Sequence, residues 1–172
     1  MYSLNVSLPA AVRERAFDLR PALTDFDRVR ESRTQTLVLK RLPATDRREF
    51  LRTEHRARNA LAGAPVVCAR ISGIGFFSDP PTGTGPVVYL SVDSHGIHDL
   101  HQRLVEEFGA VEPLEGDDYV PHVTLARGGN LRDAERITSR SIDPIHFSVE
   151  ELAFYDVTDR EHIGTISLRS EE

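Results

Sequence analysis

The stretch of the chain best suited to chemistry covers residues 119–129, Tyr-Val-Pro-His-Val-Thr-Leu-Ala-Arg-Gly-Gly. His122 and Thr124 lie two positions apart in a run that otherwise predicts a strand, and Arg127 and two glycines follow. Histidine titrates near neutral pH and can take up or give a proton, and a hydroxyl can donate a hydrogen bond to an anion. The pattern therefore suits catalysis or anion binding, or it closes a turn, and the choice depends on what completes it elsewhere.

The spacing of apolar residues predicts the elements that must position this stretch. Helices are expected to begin at Pro9, at Thr45 or Asp46 as a cap, and after Ser94 as a cap. The predicted helices cover 9–23, 45–63, 94–109 and roughly 131–139. The predicted strands cover 2–8, 34–42, 65–77, 86–93, the 119–129 motif, a long or bent strand pair within 143–157, and 163–170.

Two segments look like copies of one unit. Residues 34–42 and 122–129 share a Thr-Leu pair followed closely by a basic group, and each precedes a helix and a long β-rich segment. Because side chains alternate along a strand, His122 and Thr124 share one face, and Thr34 and Thr36 share another. The sequence predicts an α+β fold of two similar β-α-β lobes with antiparallel sheets, related by a pseudo-twofold around a central cleft. One domain spanning 1–172 is expected.

Composition narrows the class of protein. Cys68 is the one cysteine, which excludes an intrachain disulfide and a cysteine zinc cluster. The absence of an apolar run of about 20 residues and of a signal-peptide pattern predicts a cytoplasmic protein. The net charge is −6, yet residues 40–58 carry a net charge of +4. Within them, Arg48, Arg52 and Arg56 predict a basic stripe on a helix, which is either a solvated face or a contact for an RNA backbone.

The segment Pro-His-Val-Thr-Leu-Ala-Arg resembles the second signature of the 2H phosphoesterase superfamily, which includes 2′-5′ RNA ligase-like proteins and 2′,3′-cyclic phosphodiesterases. Their signature, His-x-Thr/Ser-x, occurs twice. The resemblance covers nearly the whole chain in element order, closely at 122–127 and partially at 34–37. It implies that paired histidines act as base and acid on a cyclic phosphate and that paired hydroxyls hold the phosphate. It implies catalytic roles for His122, Thr124 and Thr36, with Thr34 and Arg127 binding the substrate.

The first signature departs from the family pattern. The resemblance requires a histidine at position 34, which is Thr, or at Gln35 if the register slips by one residue. The nearby Arg33 stays protonated and is a poor general base. We therefore expect reduced activity, unless Tyr119, Lys40 or a histidine from a loop supplies the second proton transfer.

The resemblance implies a monomer that acts on RNA ends or nucleotides carrying a cyclic phosphate, without a cofactor, a metal or a membrane. The alternative is a non-catalytic protein that binds RNA or nucleotide phosphates on the same scaffold. A third hypothesis is a metal-dependent hydrolase that uses the histidines at 95–101. It is weak because side chains three and six apart on a helix fan around its surface, which would leave His95 outward and His101 at the edge of the buried face.

Overall fold

The computed structural model describes residues 1–170. The strands are β1 (Tyr2–Val6), β2 (Arg28–Val29), β3 (Leu37–Leu42), β4 (Val67–Phe77), β5 (Val87–Asp93), β6 (His122–Arg127), β7 (Ile145–Val149), β8 (Glu151–Asp156) and β9 (Glu161–Ser167). The helices are α1 (Ala10–Leu19), α2 (Arg47–Ala60), α3 (His95–Phe108) and α4 (Leu131–Thr138). Within residues 1–170, no helix combines the length and the apolar character needed to cross a membrane.

The strands form two antiparallel sheets. The first sheet has the order β3-β1-β8-β9, and the second has the order β2-β6-β5-β4-β7. These sheets confirm the predicted α+β class. Both sheets contain strands from both halves of the chain, because β8 and β9 return to pair beside β1. The two lobes are therefore interlocked rather than built from separate halves of the sequence.

Several predicted boundaries differ from the structure, and each difference has a local cause. The first helix ends at Leu19 and continues as a 3-10 turn over Arg20–Leu23, where Pro21 has no amide hydrogen to extend the α-helix. The predicted strand 34–42 begins only at Leu37. Before it, Ser32–Thr34 form a 3-10 turn in which both the backbone amide and the hydroxyl of Thr34 donate to the carbonyl of Glu31.

The helix caps follow the predicted residue types. Asp46 accepts a hydrogen bond from the amide of Glu49 at 2.8 Å and begins α2. Ser94 accepts from the amide of Ile97 at 3.1 Å and begins α3. These side chains satisfy amide groups that lack a partner in the first turn of a helix. The caps therefore set where each helix leaves the preceding strand.

Helix α2 covers the face of the first sheet that points away from β6. Its Phe50 stacks on Tyr2 with ring centroids 4.7 Å apart and meets Phe154 edge-on at 5.6 Å. Tyr2 and Phe154 alternate along their strands with Ser3, Asn5 and Ala153, so these last three point to the opposite face. One face of the first sheet is thus packed into the core, and the other is free to line a cleft.

A buried ion pair ties the segment after α3 to β3. Lys40 and Glu115 are each 1% exposed at the side chain, and Lys40 Nζ lies 2.6 Å from Glu115 Oε2. The same carboxylate accepts hydrogen bonds from the amides of Arg41 at 2.8 Å and Val111 at 2.9 Å. Burial opposes ionisation, but these hydrogen bonds outweigh it and hold the pKa of Glu115 below its ordinary value.

We predict that Glu115→Gln destabilises the protein by about 3–5 kcal/mol, because it leaves Lys40 buried without a counter-charge. The measurement is urea unfolding at neutral pH, with Glu112→Gln as the control, since Glu112 is an exposed carboxylate of the same segment. The stabilisation by Glu115 is present above the ordinary carboxyl pKa of 4.5 and is lost as pH falls through the lower value of the folded state. Equal unfolding free energies for the two variants would contradict this role.

Candidate active site in the cleft between the sheets

His122 and Thr124 lie on the cleft face of β6. In the register with β5, Ser91 is opposite His122 and Tyr89 is opposite Thr124. Val123 and Leu125 point away and are buried in the core. The alternation predicted for this motif is therefore present, with the polar pair on one face.

The ring of His122 has a defined tautomer. Its Nδ1 lies 2.7 Å from the carbonyl oxygen of Val120, which can only accept, so Nδ1 carries the proton and Nε2 keeps a lone pair. The rings of Phe77 and Tyr89 contact it edge-on, each with centroids 5.2 Å away. Burial lowers the pKa of His122, and the charges of Arg41 and Arg127 lower it further. A neutral imidazole with a free Nε2 is suited to accept a proton.

Thr36 faces the same cavity from the opposite wall. It precedes β3 and lines a main cavity of about 380 Å³ together with His122, Thr124 and Arg127. Phe77, Pro80, Pro81 and Leu114 supply an apolar rim. Four of the five residues predicted to form the site are thus brought together by the fold.

Thr34 is the exception. It does not line the main cavity but an adjoining side pocket of about 180 Å³, which Thr36 lines as well. Its hydroxyl donates to the carbonyl of Glu31 at 2.9 Å. Because residue 34 belongs to a 3-10 turn rather than to a strand, its side chain does not repeat the position that His122 takes on β6.

The main cavity is positively charged despite the acidic composition of the chain. Arg30, Arg41 and Arg127 line it, against a single carboxylate, Asp118. Burial lowers the pKa of Arg30, and the positive charge of the neighbouring Arg127 lowers it further. The amide of Arg30 donates to the carbonyl of Leu125 at 2.8 Å, which holds this residue beside β6. The charge of such a cluster suits an anion with several oxygens, such as a phosphate.

Arg30 and Arg41 were not among the predicted site residues. Arg30 follows β2, a strand of two residues that is too short to show a period. Arg41 follows the buried Lys40 in β3, and a β-bulge in the pairing with β1 shifts the register just before them, between Val38 and Lys40. Arg41 lies inside the predicted strand 34–42 and no strand is predicted around Arg30, so no sequence signal distinguishes these two arginines from the rest of an arginine-rich chain.

Tyr119 and Lys40, two of the groups considered as substitutes for the missing histidine, are engaged elsewhere. Tyr119 donates its hydroxyl to the carbonyl of Val38 at 2.9 Å, and burial raises its pKa well above the ordinary tyrosine value. Lys40 is buried in its pair with Glu115. His162, at the start of β9, lines the side pocket. Neither Tyr119 nor Lys40 is therefore placed to give a proton in the main cavity.

The histidines at 95–101 do not converge. The prediction that His101 lies at the edge of the buried face was wrong, since it is only 2% exposed. Its Nδ1 donates to the carbonyl of Leu39 and its Nε2 accepts from the amide of Gly116. Over the part of the chain that the structure covers, no three His, Cys, Asp or Glu side chains are grouped as metal ligands. His101 instead stacks on Tyr119 and supports the wall of the cleft.

The basic stripe of α2 lies across the first sheet from the cleft. Arg56 pairs with Glu107 of α3 at 2.6 Å and stacks over Phe108. None of Arg48, Arg52 and Arg56 lines either cavity. An RNA that met this stripe would therefore have to extend around the edge of the molecule.

The fold and the cleft define a two-sheet α+β protein with a cationic site that holds a histidine and two hydroxyls. A model of the 2′-5′ RNA ligase superfamily matches residues 36–161. The chain belongs to this superfamily. A search of curated proteins finds no match.

Solved structures share the fold at low sequence identity. The protein TT0787 of Thermus thermophilus is 19% identical, with 99% of each chain covered and a TM-score of 0.69. E. coli LigT, solved in complex with 3′-AMP, is 16% identical, with 97% of each chain covered and a TM-score of 0.68. Usb1 of Kluyveromyces marxianus is 13% identical, with 97% of each chain covered and a TM-score of 0.61. At these identities the comparison extends to the fold alone.

We predict that Thr36→Ala and Thr124→Ala each weaken the binding of 2′-AMP, because each removes a hydroxyl donor from the main cavity. A lost hydrogen bond to a charged group removes about 1.5–3 kcal/mol, which corresponds to a roughly 10- to 100-fold rise in Kd. Isothermal titration calorimetry measures the effect. Thr138→Ala is the matched control, because Thr138 lies on α4 and lines neither cavity. Unchanged affinity in both cavity variants would remove these residues from the site.

Proposed function

We propose that the protein is a phosphoesterase of the 2H type that hydrolyses a 2′,3′-cyclic phosphate, or a 2′-5′ linkage, at RNA ends or in nucleotides, with reduced activity. The observation that carries this proposal is the neutral His122, whose free Nε2 faces the cavity that Thr36, Thr124 and three arginines share. The relation to proteins such as LigT, solved with 3′-AMP, with ATP and with NADP+, supports a nucleotide ligand.

The residues suggest a division of roles. The Nε2 atom of His122 takes a proton from the water that attacks phosphorus. Thr36 and Thr124 donate hydrogen bonds from opposite walls to the phosphate oxygens as charge accumulates there. Arg30, Arg41 and Arg127 offset the negative charge. The bond from phosphorus to one ribose oxygen then breaks, and that oxygen takes its proton from solvent, because residue 34 is Thr.

A second candidate function is binding without turnover. Its support is the state of the first signature, where the hydroxyl of Thr34 is committed to the Glu31 carbonyl and cannot transfer a proton to a ribose oxygen. The cationic cavity would remain a phosphate site in either case. The two functions differ in whether the parent protein turns over a 2′,3′-cyclic nucleotide in the absence of added metal.

We predict that Thr34→His raises turnover of a 2′,3′-cyclic nucleotide by about 100-fold, within the range of one general acid–base group. Thr34 is exposed and lines the side pocket, which Thr36 shares with the main cavity, so the longer side chain of a histidine can extend from the 3-10 turn toward the cleft without disturbing the core. Gln35→His serves as the register control, because Gln35 is buried. A correctly folded Thr34→His protein with no gain in rate would contradict the assignment of the missing acid to position 34 or the catalytic proposal itself, and a gain only in Gln35→His would shift the signature by one residue.

The pH profile gives a second readout for the same pair of proteins. The lowered pKa of His122 means that its basic form is present above a midpoint below 6.5, the ordinary histidine value. The rate of the parent should therefore rise through that midpoint and then stay level. Thr34→His should add a falling limb at higher pH, where the new acid loses its proton. A bell-shaped profile in the parent would show that another residue already acts as the acid.

A further inference from the structure

Arg127 lines the main cavity without an acidic partner. Its backbone is fixed, because it pairs with Arg28 of β2 on one side and with Val87 of β5 on the other. Arg41, another cation of the cavity, has the carboxylate of Glu115 at 3.7 Å. Within residues 1–170, no carboxylate forms an ion pair with Arg127. A side chain of this length keeps much rotational freedom unless another group holds it.

The neighbouring cations repel the guanidinium of Arg127. Arg30 lines the same cavity, and its pKa is lowered first by burial and then by the positive charge of Arg127. Burial also lowers the pKa of His122, and the charges of Arg41 and Arg127 add to this effect. Arg127 therefore lies close enough to these groups to act on them, and like charges oppose its position. In the absence of a bound anion, the guanidinium requires another support.

The turn between β4 and β5, residues 78–86, supplies this support. The Nη1 atom of Arg127 donates to the carbonyl oxygen of Thr82 at 3.4 Å. The next residue, Gly83, presents bare backbone to the same nitrogen, and a Cβ atom at position 83 would overlap it. The end of the guanidinium thus lies against the peptide that joins Thr82 to Gly83.

The same turn forms a wall of the main cavity, which Pro80, Pro81 and Thr82 line. It is compact, because a Cβ atom at Gly85 would overlap the ring of Pro80 and crowd the carbonyl of Ser78. Two consecutive prolines restrict its backbone further. A turn of this kind can hold a side chain in place, whereas a flexible turn would move with it.

Position 83 favours glycine for two separate reasons. The first is its φ of 76°, which lies in the left-handed region that other L-residues avoid. The second is the contact with Arg127, which leaves no room for a Cβ atom. Gly63, which follows α2, has a similar φ of 74°, but nothing lies within 4 Å of a Cβ atom built there. The two glycines share a backbone conformation and differ in this contact.

We propose that Gly83 is a positioning residue of the phosphate site, which holds Arg127 in the cavity before the ligand binds. This inference rests on the proposed function, since it takes the ligand to be a phosphate ester. The Thr82 carbonyl accepts from one N–H group of the guanidinium, and the remaining N–H groups stay free for phosphate oxygens. Because the side chain is already ordered, binding costs less conformational entropy.

The test is a double-mutant cycle on the binding of 2′-AMP, measured by isothermal titration calorimetry. Arg127→Ala should raise Kd about 10- to 100-fold, as expected for a lost hydrogen bond to a charged group. Gly83→Ala should raise Kd about three- to tenfold, the penalty for ordering one long side chain on binding. In the Arg127→Ala background, Gly83→Ala should have no further effect. Gly63→Ala, the control for backbone strain, should leave Kd unchanged.

Three results would overturn the role of Gly83. The first is an unchanged Kd in Gly83→Ala. The second is an equal loss in Gly63→Ala, which would trace the effect to backbone strain. The third is an equal loss from Gly83→Ala in the Arg127→Ala background, since Gly83 would then act through the cavity wall. In all three cases the parent still binds 2′-AMP, whereas a parent that does not bind it contradicts the proposed function itself.

A measurement on the parent alone covers the case in which Gly83→Ala does not fold. Relaxation of ¹⁵N in the arginine Nε–H groups, recorded without ligand, reports the order of each side chain. We expect Arg127 to be as ordered as Arg58, which donates to Glu54 at 2.7 Å, and more ordered than the exposed Arg48. Arg127→Ala assigns the signal. An Arg127 side chain as mobile as that of Arg48 would overturn the inference.

Discussion

The cleft depends on the burial of one carboxylate. Glu115 accepts hydrogen bonds from the buried ammonium of Lys40 and from two backbone amides. If the segment after α3 moved away from β3, Lys40 would stay buried without a counter-charge, which is costly. That segment leads directly into Tyr119 and Val120. Tyr119 bonds back to β3 through Val38, and the carbonyl of Val120 sets the tautomer of His122. The orientation of His122 therefore depends on an ion pair that lines neither cavity.

The same arrangement explains how an acidic chain forms a cationic site. Residues 106–118 form an acidic run, with six acidic residues and no basic one. Of these, Glu115 is turned into the core and Glu107 is paired with Arg56 of α2. Asp118 is the only acidic residue of that run at the main cavity. The arginines of the cleft therefore face few competing carboxylates. Net charge is a statement about the whole surface, while binding depends on the charges within a few ångströms of the ligand.

The sequence predicts much of this arrangement, and where the prediction fails there is a specific physical reason. The alternation of polar and apolar residues predicts the two faces of β6, because in a strand with one buried side every second side chain points into the core. It fails at Thr34, where hydrogen bonds to the Glu31 carbonyl hold a 3-10 turn instead. It also fails at Arg30, which depends on pairing between β2 and β6, two strands that lie far apart in the chain. Contacts of that kind leave no local pattern.

The loss of the first histidine affects one side of the reaction more than the other. In the proposed reaction, the arginines and hydroxyls that would hold the phosphate are in place, and so is the base that would activate water. What is missing is a proton for the departing ribose oxygen, and an unprotonated alkoxide is a poor leaving group. Such a defect acts in the transition state and leaves the ground-state contacts intact, so it lowers kcat more than it raises KM. Binding and slow hydrolysis are therefore compatible properties of one such cleft.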